Sequence, residues 1–207
     1  MAGIIVFTLI TFGWFFGIHP SAMMSAYLPV MMTAGIANLE AFLAGDPMPF
    51  LHFSAVMGII AVGGTGGTLG LAFLMLRAKS ERFKVLGKMA FVPSLFNINE
   101  PLIFGIPLLL NPIFFVPMVL SIPLAGLVVS IFYNLGFYSN LNPTVSLPWI
   151  MPSFIGAFLV GGWKMFVAII CVIVALGFLY YPFFKIVDKQ ASAEEKANEA
   201  HIKNNLV

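Results

Sequence analysis

The sequence predicts an all-α integral membrane protein of transmembrane helices and re-entrant helical hairpins. Hydrophobic residues make up 60% of the 207 and charged residues only 9%, with a mean hydropathy of +1.02. Soluble domains carry about 25% charged residues. The apolar stretches suffice for about four or five spans of roughly 20 residues each. Proline and glycine repeatedly interrupt them, with 14 and 19 residues respectively. Broken backbone at membrane depth survives only where it is buried in protein or lines water. The net charge of +2 is too small to suggest nucleic acid. No His, Cys or Asp spacing suits a metal cage. Cys171, the lone cysteine, excludes an internal disulfide and reads as a core residue.

Taken in order, residues 2–17 read as a short span ending in Trp14, Phe15, Phe16, Gly17, Ile18, His19 and Pro20. There is no basic flank ahead of it, so it does not read as a cleavable signal. A chain starting in mid-span points to a fragment or a separately encoded half. Residues 21–50 carry Pro29, Gly35, Gly45, Pro47 and Pro49, which suggests short dipping helices rather than one span. Met23, Met24, Met31 and Met32 suit adaptable packing. Residues 51–76 read as a clean span. Its central Gly63, Gly64, Thr65, Gly66, Gly67 and Thr68 favour close approach and hydrogen bonds between helices. Arg77, Lys79, Arg82, Lys84 and Lys88 mark a cytoplasmic segment by the positive-inside rule. Residues 111–137 form a proline-broken entry and a span. Residues 138–152 make a polar-aromatic loop with Asn140, Asn142, Thr144 and Trp149. Residues 153–162 read as a short insertion and 163–182 as the last span, with Lys164 at one end. The chain thus divides into a membrane-embedded part, 1–184, and a cytoplasmic polar tail, 185–207. The tail is expected to fray, with Glu194, Glu195 and Lys196 forming a solvated face.

The functional candidates centre on residues 96–107. Between Met89 and Phe184, Glu100 is the one acidic residue and Lys164 the one basic residue. A carboxylate within a membrane domain is costly and by default marks function. Pro101 and Pro107 break helical ladders, while Asn97 and Asn99 bring donors and acceptors. A hairpin tip beside a polar cavity fits, and so does a simple N-terminal helix charge. Trp14 fits either an interfacial belt or a binding site. His19 fits either a satisfied core position or a ligand contact. A few fixed polar groups among apolar walls is how small-molecule sites generally look.

The run Phe96-Asn97-Ile98-Asn99-Glu100-Pro101-Leu102-Ile103-Phe104-Gly105, followed by Leu110-Asn111-Pro112, resembles the signature of the phosphotransferase-system sugar transporter component enzyme IIC. The branch is the lactose/cellobiose/diacetylchitobiose type. Trp14 to His19 resembles its other sugar-site motif, and Trp149 falls where the family has a later aromatic. The likeness covers the C-terminal half of family members, which hold re-entrant hairpins and a substrate cavity there. Their N-terminal spans build a homodimer interface and are missing from this sequence. The resemblance implies a multi-pass protein of the bacterial cell membrane with a cytoplasmic C-terminus. It implies binding of a β-linked disaccharide, translocation by a rigid-body shift, and phosphorylation by a IIB partner supplied by IIA. No cofactor is implied. Glu100 and His19 would hydrogen-bond the sugar, with Glu100 a possible base. Asn97 and Asn99 would shape the hairpin tip, and Trp14 and Trp149 would pack the ring. The chain itself would be the permease subunit, since the phosphoryl donor cysteine belongs to IIB and is not Cys171. A proton-coupled secondary transporter and a truncated, non-transporting remnant stay open beside this reading.

Overall fold

A computed structural model describes residues 2–58, 62–139 and 141–205. Asn140 of the polar loop, and residues 59–61 of the expected span 51–76, lie outside the described residues. Among the described residues there are eight helices and no strand: α1 (Ala2–Phe15), α2 (Pro20–Ala44), α3 (Leu51–Met57), α4 (Leu69–Met75), α5 (Glu81–Leu95), α6 (Glu100–Gly105), α7 (Pro112–Asn134) and α8 (Ser153–Asn205).

Local chemistry starts these helices where they start. Pro20 and Pro112 stand in the first turns of α2 and α7, where a missing N–H costs nothing. His19 and Asn111 cap those helices, accepting from Ser21 N–H at 3.3 Å and Ile113 N–H at 3.0 Å. Ser80 caps α5, accepting from Phe83 N–H at 3.2 Å. Among the described residues α2, α7 and α8 are long and apolar enough to cross a membrane. The 14 residues of α1 reach about 21 Å, short of the roughly 30 Å hydrocarbon core.

Three expectations change. Residues 20–44 form one helix despite Pro29. Pro29 removes only the one bond its N–H would give to the Ser25 carbonyl, a loss that membrane helices accept. The span 51–76 is broken, because Gly63, Gly64, Gly66 and Gly67 all take positive φ, between 65° and 94°. A β-carbon at Gly64 would overlap the Asn99 amide, and one at Gly67 would overlap Leu176. The tail does not fray. After Gly162 (φ 67°, ψ −160°) interrupts α8, the helix continues to Asn205.

Acidic side chains anchor that last extension. Both Asp188 carboxylate oxygens accept from Lys79 N–H, at 3.0 and 2.9 Å, and one also accepts from Ser80 N–H at 2.9 Å. Glu195 accepts from the Ser80 hydroxyl at 2.6 Å, Glu81 N–H at 3.0 Å and Arg82 N–H at 3.1 Å. These are the free N–H groups at the start of α5, where partial positive charge gathers. Glu195 therefore belongs to a cap, not to a solvated face. The Ser80 hydroxyl, and then the Arg82 and Glu81 amides, hold its carboxyl below the usual glutamate range.

Two buried clusters make the core. One joins Phe7, Val56, Ala125 and Val172 of α1, α3, α7 and α8. The other joins Trp14, Phe15, Leu71, Phe83, Leu102, Ile103, Phe114 and Tyr180 of α1, α4–α8. In α2 the buried residues are Ala34 and Asn38, and Leu28, Val30, Ile36 and Leu43 are exposed, as suits a face turned to lipid or to more protein.

Candidate functional site

Three non-helical stretches meet at the corner between α5 and α6. Asn97 takes φ 63°, a left-handed conformation that asparagine tolerates better than most residues. From there its amide bridges the stretches. Its Oδ1 accepts from Gly63 N–H at 3.1 Å and from the Ser153 hydroxyl at 3.0 Å. Its Nδ2 donates to the carbonyls of Trp149 at 2.9 Å and Met151 at 2.8 Å. Those contacts use its two donors and two acceptor positions. Asn99 donates to the Thr65 carbonyl at 2.9 Å and to the Thr68 hydroxyl at 3.0 Å. Thr68 in turn donates to the Gly63 carbonyl at 2.6 Å, and Tyr180 of α8 donates to the Gly66 carbonyl at 2.8 Å. Buried backbone that cannot pair helically is thereby satisfied by side chains, as burial demands.

This framework presents Glu100. It is the first residue of α6, directly after Asn99. Its side chain is exposed and has no hydrogen-bond or ion-pair partner among the described residues. Behind it, Leu102 and Ile103 are buried with Trp14 and Phe15. Leu110 N–H also donates to the Phe15 carbonyl at 3.1 Å, tying the end of α1 to the segment after α6.

His19 stands at the α1–α2 corner, exposed. Its Nδ1 accepts from Ser21 N–H and lies 2.7 Å from the Ser21 hydroxyl. The neutral ring therefore carries its proton on Nε2, which is left as a donor. Trp14 packs edge-on to His19, with ring centroids 5.0 Å apart at 80°. The indole is only 5% exposed, so it is not a belt residue, and its buried Nε1–H has no partner. Trp149 is 69% exposed, while its carbonyl is held by Asn97.

The geometry thus brings Asn97, next to Asn99 and Glu100 in the chain, onto the Trp149 backbone, and pairs Trp14 with His19; Trp14 shares a buried cluster with Leu102 and Ile103 of α6. Sequence reasoning missed Thr68, Ser153 and Tyr180 as members of the framework. The glycine-threonine run was a signal for Thr68; nothing in the spacing signalled the other two.

Broken helices pinned by asparagines, beside helices long and apolar enough to cross a bilayer, are the architecture of a membrane-embedded domain. Residues 1–121 match the family model "Phosphotransferase system, EIIC", and the chain belongs to that family of membrane proteins. It is 42% identical to the galactose-specific EIIC component of Lactococcus lactis subsp. cremoris over 93% of this chain and 43% of that one. It is 34% identical to the oligo-beta-mannoside-specific EIIC component of Bacillus subtilis, over 88% of this chain and 42% of that one. It is 35% identical to the lactose-specific EIICB component of Lacticaseibacillus casei, over 93% and 34%. Its structure is similar to that of the transporter ChbC, the IIC component from the N,N'-diacetylchitobiose-specific phosphotransferase system. There the TM-score is 0.83 and identity 28%, covering 94% of this chain and 46% of that one. The chain spans less than half the length of these relatives.

Proposed function

We infer that this chain is the sugar-holding part of a phosphotransferase-system permease. It binds a β-linked disaccharide of cellobiose, chitobiose or lactose type, and its translocation is coupled to phosphorylation by a IIB partner. The observation that carries this reading is the exposed, unpartnered Glu100 carboxylate at a helix break that Asn97 and Asn99 hold rigid. Such a carboxylate accepts hydrogen bonds from sugar hydroxyls, each worth about 1.5–3 kcal/mol. His19 Nε2–H is a second polar contact, and Trp149 offers an exposed aromatic face. The buried Trp14 indole packs edge-on against His19 and so helps set the position of that ring. Asn97 has no hydrogen-bonding capacity to spare, so its part is to position Glu100 and Trp149. The names of the relatives support a sugar ligand and, through EIICB, a IIB domain. The basic segment at Arg77–Lys88 supports a cytoplasmic placement for the α4–α5 turn and for the α8 end capped onto it.

Glu100→Gln separates binding from chemistry. The proposal expects disaccharide affinity to fall roughly 10-fold or more, the equivalent of one charged hydrogen bond. Bound sugar should still be phosphorylated at a similar rate. Binding retained with phosphorylation lost would make Glu100 a base. Binding and phosphorylation both unchanged, with the complementary half and IIB present, would leave Glu100 as a helix charge only.

A further inference from the structure

Lys164 is a cation without an evident counter-charge. Between Met89 and Phe184 it is the one basic residue, and the one acid, Glu100, belongs to the sugar site. It is half-buried and has no hydrogen-bond or ion-pair partner among the described residues. It lines a cavity of about 440 Å³ together with Asn142, Phe158, Gly161, Gly162 and Trp163. The Gly162 break builds that cavity, because the Val160 carbonyl there accepts from Asn142 N–H at 2.8 Å instead of serving a regular helix. Asn142 Oδ1 is taken by Thr144 N–H and hydroxyl, at 3.0 and 2.7 Å. Its amide N–H groups are left as donors among the described residues, on the wall of the cavity that Lys164 also lines.

The cavity's depth in the membrane follows from spacing. Residues 165–184 carry no charge, and their 20 residues rise about 30 Å, the thickness of the hydrocarbon core. Lys164 and Lys185 therefore stand at opposite interfaces. Trp163 is 62% exposed, as an aromatic at headgroup depth would be. A neutral sugar here would leave the ammonium unpaired, whereas an anion with several acceptor oxygens would pair both lysine and amide.

We propose that Lys164, Asn142 and Trp163 form a site for the phosphate of an anionic phospholipid, on the membrane face opposite Lys185. The lipid's chains lie along Phe158 and the α8 surface while its phosphate enters the cavity.

The test is native mass spectrometry of the 207-residue chain released from bilayers of phosphatidylcholine and phosphatidylglycerol. The chain should retain phosphatidylglycerol about fivefold over phosphatidylcholine, as one interfacial lysine would provide. Lys164→Gln should bring the ratio near one, and Lys164→Arg should keep it. Asn142→Leu, which leaves the cation in place, should at least halve the preference and serves if Lys164→Gln fails to fold. No preference in the native chain, or one untouched by these substitutions, overturns the proposal. Displacement of the lipid by millimolar inorganic phosphate would point to a soluble anion and also overturns it.

Discussion

Replacing Asn97 tests the framework most severely. Asn97→Ala removes its amide and strands Gly63 N–H and the carbonyls of Trp149 and Met151. An unsatisfied buried group costs about 1–3 kcal/mol, so the buried Gly63 N–H and the two part-buried carbonyls, which lose less, together cost about 3. Alanine must also adopt the φ of 63°, which adds about 1 kcal/mol. The total of about 4 kcal/mol lowers Tm by roughly 8–16 °C for a chain of this size. Asn97→Gly strands the same groups but relieves the backbone, so it should melt roughly 2–4 °C above the alanine variant. Asn97→Asp keeps the acceptor for Gly63 and sets an anionic oxygen against two carbonyls, so its near-identical shape should not rescue it. Scanning fluorimetry of the detergent-solubilised chain at one heating rate reads all three. An alanine variant melting with the native protein, or a glycine variant melting below alanine, would refute the reasoning.

Other expectations follow from the cap and the topology. Glu195 has a lowered pKa in the folded chain, so its cap contributes fully above the ordinary glutamate value and is lost as pH falls through the lowered one. The protection of the Arg82 amide against exchange, relative to its intrinsic rate at each pH, should fall over that acidic window, and Glu195→Gln should flatten the dependence. Cysteines placed at the exposed positions Lys88 and Glu199, in a Cys171→Ser background, should resist impermeant thiol reagents in intact cells. Labelling of either from outside would reverse the proposed orientation.

Hydropathy made α7 and the apolar part of α8 legible, because long unbroken apolar runs have no other stable home. Proline and glycine were weaker guides. Pro29 leaves α2 intact, while the run from Gly63 to Thr68 breaks a stretch whose hydropathy reads as continuous. At the site, Asn97, Asn99 and Glu100 stood out because polar groups are rare in that run. Their pairing with Gly63, Thr68, Trp149 and Ser153 did not, since those residues lie 31–56 residues away in sequence. Asp188 and Glu195 were misread as part of a solvated tail. Seven residues apart on a helix, they share a face with buried Ala191, a pattern that signals docking rather than fraying.

The central claim is group translocation. It is tested most directly by disaccharide uptake into vesicles holding this chain with its complementary half, with IIA and IIB inside. The account predicts accumulation of phosphorylated sugar that requires phosphoenolpyruvate and persists when a protonophore collapses the proton gradient. Uptake of unmodified sugar that stops with the gradient would instead identify a proton-coupled carrier, and no uptake under either condition would identify a non-transporting remnant.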